Sequence, residues 1–328
     1  MIISASYKTD IPTFYVEWFI NRLRAGYCKT VNPFNRVVSR VSLKRSDVDG
    51  IVFWTKNIGP FLTYLHEVSD REIPFVIQHT INGYPRSLER RVVNASQSSD
   101  NLRRVAEEYG PKACVWRYDT IVDSSDTPRA FHLRSFESIA RQLEGVTDEV
   151  VVSFAHIYKK TKRNMEAASR STGFEWSDPD VEWKRALLSE LVFVAESVGM
   201  QLTLCSQPEF KVIGSNEARC IDAQRLEEVS GKTIHAKTKG NRPDCLCAET
   251  RDIGEYDTCP HGCVYCYAVQ NMQLAQERYR KHDPTSEFLF EPEQGTREPT
   301  SADPNQKLLF DDMTGSDEQI TNERAVIS

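Results

Sequence analysis

Ile51-Val52-Phe53-Trp54-Thr55-Lys56 decides the fold. Its apolar residues run without alternation and end in Thr-Lys. A strand buried on both faces reads this way, and such strands belong to parallel sheets covered by helices. Residues 2–6, 74–80, 113–119 and 201–206 read alike, and 149–157 contains a further strand. Helical patterns lie between them. Thr9-Asp10-Ile11-Pro12 offers a capping residue and an early proline, and Phe14, Tyr15, Trp18, Phe19 and Leu23 then recur at helical spacing up to Gly26. Further helices are expected over 58–68, 87–109, 129–143 and 180–198. Strand and helix alternating in this manner predict an α/β fold. Six such units without a glycine-rich dinucleotide fingerprint predict a (β/α) barrel, partial or complete, in preference to a Rossmann sheet.

Beyond Cys205 the pattern weakens. Residues 221–229 look helical, 231–250 are polar and loop-like, and 269–280 read as a helix. The chain therefore divides into a barrel core (1–230), a cysteine-rich segment docking on the barrel mouth (231–283) and a disordered polar tail (284–328) rich in Pro, Glu, Asp, Ser and Thr. Forty per cent apolar residues in 328 support a substantial core, and no apolar run is long enough to span a membrane. A net charge of −6 supplies no whole-protein attraction to nucleic acid. The N-terminus carries no secretory pattern, so the nine cysteines are expected as thiols and metal ligands in a reducing cytoplasm.

Those cysteines concentrate late. Thr258-Cys259-Pro260-His261-Gly262-Cys263-Val264-Tyr265-Cys266-Tyr267-Ala268 spaces three of them C-x3-C-x2-C. Three thiolates on one tight loop can hold three irons of a [4Fe-4S] cubane and leave the fourth open for chemistry. Cys245 and Cys247 lie just upstream. They keep two other readings alive: a closed cluster with a fourth protein thiolate, and a structural zinc site that staples a nucleic-acid-associated module.

The loop, with an aromatic residue immediately before its last cysteine, resembles the signature of radical S-adenosylmethionine (SAM) enzymes. In that family the open iron chelates the amino and carboxylate groups of SAM. Reductive cleavage then gives a 5′-deoxyadenosyl radical that abstracts hydrogen from substrate. The resemblance implies Cys259, Cys263 and Cys266 as cluster ligands, Tyr265 as the aromatic beside adenine with Tyr267 next to it, and a flavodoxin- or ferredoxin-like electron donor. Two departures stand out. The family's loop normally follows the first strand, and its glycine-glycine-glutamate strand is not recognisable here. Most of residues 1–290, from Ser4-Ala5-Ser6 through Asp252-Ile253-Gly254 to the cysteine loop, is also similar to an uncharacterised bacterial family, a domain of unknown function with C-terminal cysteines of this kind.

Catalytic groups of (β/α) barrels sit at the carboxyl ends of strands. Those positions hold Asp10, Lys56 and Asn57, Gln78 and His79, Arg117 and Asp119, His156 and Ser206. So polar a set at the ends of buried strands must find ligands or pair internally. Lys56 and Arg117 suit an anionic group such as the SAM carboxylate, with Asp119 beside Arg117. Asp10 or Asp119 suits ribose hydroxyls, and Asn57, His79 and His156 complete the expected cofactor wall. The structural alternatives are a helix cap for Asp10, an internal pair for Arg117 and Asp119, and core imidazoles for the histidines. Cys28, Cys114, Cys205 and Cys220 read as small buried apolar residues. Tyr158-Lys159-Lys160-Thr161-Lys162-Arg163 is a basic run that either contacts nucleic-acid phosphates or is a solvated loop. Gln306-Lys307-Leu308-Leu309-Phe310 resembles the peptide with which bacterial replication and repair proteins dock on the DNA sliding clamp.

Overall fold

The computed structural model describes residues 1–32, 35–240, 242, 244–292 and 295–296. β1 (Ile2–Ala5) leads into α1 (Ile11–Phe14) and α2 (Val16–Ala25), and β2 (Tyr27–Val31) and β3 (Val38–Ser42) form an antiparallel hairpin. β4 (Gly50–Thr55) is followed by a 3-10 turn over Gly59–Tyr64 and by α3 (His66–Ser69), and β5 (Phe75–Thr80) by α4 (Ala95–Tyr109). β6 (Cys114–Ile121), β7 (Asp123–Ser124), α5 (Arg129–Gln142), β8 (Glu149–Phe154), α6 (Lys159–Thr172), β9 (Trp176–Ser177) and α7 (Val181–Ser197) come next. The chain continues through β10 (Gln201–Leu204), β11 (Asn216–Glu217), α8 (Ala223–Ser230), β12 (Thr250–Asp252) and α9 (Met272–Lys281).

Eight of these strands form one sheet in the order β11-β10-β8-β6-β5-β4-β1-β12, and every pairing in it is parallel. The order follows the chain except that β12 returns to flank β1. The sheet is open, with β11 on one edge and β12 on the other. The strands are covered on both faces, as their unbroken apolar runs require. Phe53 of β4 meets Phe19 of α2 and Phe61 of the 3-10 turn edge-on, at centroid separations of 5.2 and 4.9 Å. The opposite face carries Ile2, Val52, Val76, Val115 and Val151, one from each of five neighbouring strands, and Leu226 of α8 packs into that layer.

Several element boundaries differ from the sequence reading. The helix expected over 58–68 is a 3-10 turn and a single α-helical turn, with Pro60 in its first turn. α4 starts at Ala95, where the Asn94 side chain accepts the Gln97 amide at 2.9 Å, so residues 87–94 are loop. The basic run at 159–163 opens α6 and is no loop. Residues 284–290 are not a free tail: Asn21, Trp18 and Arg22 of α2 donate to the carbonyls of Pro284, Ser286 and Thr285, and Leu289 is buried. Gln306–Phe310 lies outside the described residues. Among the described residues, no helix is long and apolar enough to cross a membrane.

The β1–β12 edge fixes where the cysteine loop begins. Asp252 accepts from Ser4 Oγ at 2.7 Å, from Ser6 Oγ at 2.8 Å and from the Gly254 amide at 3.0 Å. A Cβ on Gly254 would stand 2.0 Å from Ser6 Oγ and 2.5 Å from Ser6 Cβ, inside a buried contact with no room to yield. Gly254→Ala is therefore expected to cost about 1–3 kcal/mol, as overpacking does. A thermal midpoint equal to that of the unaltered protein would refute the close approach.

Candidate metal centre

The Cys259–Cys266 loop is pinned to the strand ends by two buried polar clusters. In the first, Asp10 accepts the Thr13 amide at 2.9 Å to cap α1, the Thr55 hydroxyl at 2.8 Å and the Lys56 amide at 2.8 Å. Its other contact is His261 Nε2 of the cysteine loop at 2.7 Å. Burial pushes the Asp10 carboxyl up, but His261 and these donors outweigh it and hold it below the usual carboxylate range. In the second, Glu89 takes Lys56 Nζ at 2.8 Å, Asn82 Nδ2 at 3.2 Å and the Tyr265 hydroxyl. Burial again opposes ionisation, and the Lys56 ammonium more than offsets it, so Glu89 is held low and Lys56 high. Backbone bonds finish the docking, Val264 N to Leu88 O and Arg91 N to His261 O, both at 3.0 Å. Gly262 sits at φ +79°, where a side chain is strained, and a Cβ there would stand 3.1 Å from Arg90 Cβ.

Loop and strand ends enclose a cavity of about 280 Å³ lined by Cys259, Cys263 and Cys266. Of the strand-end residues, Asp10, Lys56, Arg117, Asp119 and His156 reach it, together with Tyr265 and Tyr267. Asn57 and His79 do not. Asn57 lies past the end of β4 and folds back to accept the Gly59 amide at 3.0 Å. His79 follows Gln78 on β5, and successive side chains point to opposite faces. Gln78 turns toward Arg117 and Cys220, so His79 turns toward the helices, fully buried, 2.9 Å from Ser98 Oγ.

The charged strand-end groups are paired inside the protein. Arg117 Nε donates to Asp119 at 3.0 Å, and the Ser153 hydroxyl also donates to Asp119. Each stabilises the other's ion against burial, Arg117 held above and Asp119 below its ordinary value. Asp10 is a helix cap as well as a cavity residue. Tyr265 spends its hydroxyl on Glu89 and meets Tyr84 edge-on at 5.8 Å. Lys56 uses one donor on Glu89, and an ammonium has three. Aromatic groups form another part of the wall: Tyr7, Trp54, Tyr158 and Tyr267.

Sequence reading missed Glu89 and His261, and it did not place two buried cysteines at the cavity. His261 was legible as the one imidazole inside the cysteine loop, whereas Glu89 lies in an irregular stretch with no periodicity to mark it. Cys205 and Cys220 are buried as expected, yet both line the cavity with Cys245 and Cys247. All nine cysteines are free thiols. Burial pushes the Cys259, Cys263 and Cys266 thiols up, so an incoming metal must displace their protons. The Cys266 sulfur already accepts the Ala268 amide at 3.3 Å, a contact that favours thiolate. Among the described residues, no three His, Cys, Asp or Glu side chains are gathered as the ligands of a single ion. A cubane asks for a different arrangement, because its thiolates bind separate irons and need not converge on one point.

No curated protein matches this chain. A family model described as a domain of unknown function, DUF1848, matches residues 2–268, which hold the whole sheet and the cysteine loop together. The chain belongs to the DUF1848 family.

Proposed function

We propose that this protein is a radical SAM-like iron-sulfur enzyme on a partial (β/α) barrel, with Cys259, Cys263 and Cys266 holding a [4Fe-4S] cluster. The observation that carries the reading is that all three loop thiols line one cavity with the polar strand ends. Held by these three thiolates, a cubane with one open iron would supply a site for SAM and, once reduced by an external electron donor, the electron for its reductive cleavage. The strand order supports the barrel reading, since sequential neighbours with the last strand beside the first is the order of a (β/α) barrel left open at one seam. Cys247 shares a buried cluster with Cys220 and has Cys245 packed beside it, which favours three ligands at the loop over a fourth from the upstream pair.

The chain's own residues then have assigned tasks. Asp10 and Glu89 fix the loop through His261 and Tyr265, so the sulfurs keep their spacing with or without metal. Lys56 directs its spare donors to an anionic group at the cavity. Tyr7, Trp54, Tyr158 and Tyr267 present apolar faces suited to a purine base. The basic first turn of α6 borders this cavity: Tyr158 lines it, Lys160 Nζ stands 5.5 Å from the Tyr256 ring, and Arg163 donates to the Gln270 carbonyl at 2.8 Å. That placement favours an anionic substrate, a nucleotide or nucleic acid.

The test is anaerobic reconstitution with iron and sulfide, chemical reduction, and addition of SAM. Formation of 5′-deoxyadenosine, lost in Cys263→Ala, is the expected result. An intact reduced cluster that neither cleaves SAM nor changes its electron paramagnetic spectrum when SAM is added would end the radical SAM reading.

A further inference from the structure

The second group of cysteines reaches the cavity from three separate parts of the chain. Cys205 directly follows β10, Cys220 follows β11, and Cys245 and Cys247 precede β12. Cys205 and Cys220 sulfurs are 3.5 Å apart, Cys247 shares their buried cluster with Cys245 packed against it, and all four line the same wall. Donors are aimed at these sulfurs. Arg242 Nη2 lies 3.6 Å from Cys205 Sγ, and the Ile221 amide points at Cys247 Sγ from 3.4 Å. Neutral thiols filling a core need none of these partners. Thiolate ligands do, because hydrogen bonds and nearby cations spread the charge that accumulates on a metal's sulfur shell.

The location also needs a staple. β11 and β12 are the two open edges of the sheet, and the chain between α8 and β12 crosses from one to the other with little regular structure. Its described ladder contact is a single bridge between Thr238 and Ala248. Cys205 and Cys220 belong to the β10–β11 side, and Cys245 and Cys247 to the approach to β12. A centre bound by all four ties the two edges across the gap.

We propose that Cys205, Cys220, Cys245 and Cys247 hold a second metal centre, a [2Fe-2S] cluster bound as two pairs of thiolates. The pairing explains why the sulfurs do not surround one point. Each iron of such a cluster takes two cysteines whose sulfurs nearly touch, as those of Cys205 and Cys220 do, so no three of the four need gather on one ion. A lone zinc ion would instead draw all four sulfurs together. The assignment does not depend on what the Cys259–Cys266 loop does.

The test uses a full-length variant with Cys259, Cys263 and Cys266 replaced by alanine, purified anaerobically and reconstituted with iron and sulfide. About two irons and two acid-labile sulfides per chain are expected to remain, together with a visible absorption spectrum. Both are lost when Cys245→Ser and Cys247→Ser are added. Residual zinc in place of iron, or no bound metal, overturns the proposal. Where the alanine variant does not fold, Cys245→Ser/Cys247→Ser in the otherwise unaltered protein gives the same information. Iron is expected to fall by about two per chain while 5′-deoxyadenosine formation or the loop cluster's spectrum persists, and unchanged iron refutes the second centre. Failure of the loop cluster alone leaves the residual iron in place, so the two readings fail separately.

Discussion

Glu89→Ala is expected to lower folding stability by about 3–5 kcal/mol, the cost of leaving one partner of a buried ion pair charged and unpaired. Glu89 is 3 % exposed and its partner Lys56 is held 2.8 Å away in the same enclosed cluster. Alanine strands the ammonium and removes the acceptor shared by Asn82 and Tyr265. Burial opposes the Lys56 charge, and Glu89 is what keeps it above its ordinary range. The same carboxylate anchors the aromatic residue next to Cys266, so retention of the proposed cluster should fall along with stability. The informative control removes both charges. Glu89→Leu with Lys56→Met should recover much of the loss, because an apolar pair of similar volume avoids the stranded ion. Denaturant midpoints of the three proteins, compared without metal, decide the matter. A loss below about 1 kcal/mol for the single variant would mean that the pair is solvated and does not hold the loop.

How far the sequence could be read follows from the range of each interaction. The parallel sheet was legible because strands such as Ile51–Thr55 must be apolar on both faces, a property written in consecutive residues. The open seam was not legible, since β11 and β12 are short strands in polar sequence, recognised only by what they pair with. The three loop cysteines were legible by spacing alone, because one tight turn must carry them all. Cys205 and Cys220 looked unrelated to the Cys245 and Cys247 pair, the four being brought together only by the return of the chain to the β1 edge. His79 shows the limit within a strand. Its place at a strand end was right, but the alternation that turns Gln78 inward turns His79 toward α4 and Ser98. Glu89 shows the limit in loops, where a buried carboxylate betrays itself only through the lysine that neutralises it.

The second large effect is a loss of stability on mild acidification. His79 and His132 are both pushed down to about 4 by burial. Their hydrogen bonds specify the neutral ring. The Ser98 hydroxyl donates to the Lys56 carbonyl at 3.2 Å, so it accepts from His79 Nε2, and His79 Nδ1 is left buried without a partner. Protonating it would bury a charged N–H that has no acceptor. His132 Nε2 donates to the Val122 carbonyl at 3.1 Å and Nδ1 accepts from the Tyr118 hydroxyl at 3.0 Å. Unfolding exposes both rings, which then titrate near 6.5. Between pH 6.5 and about 4 the unfolded chain thus binds more protons than the folded one, and stability falls as pH falls. With both rings contributing, the slope approaches about 2.7 kcal/mol per pH unit in the middle of that window. Asp10, Glu89 and Asp119 act later. Their depressed carboxyls stabilise the fold above the ordinary carboxylate range and lose that contribution only as pH drops through it. Loss of stability should therefore begin near pH 6.5, well before any carboxylate protonates. Denaturant midpoints of the metal-free protein from pH 7.5 to 4.5 measure the slope, and His79→Gln should flatten it, leaving the part due to His132 and to the more weakly lowered His156 and His282. A midpoint that stays level down to pH 5 would show that the two imidazoles accept protons without leaving the core.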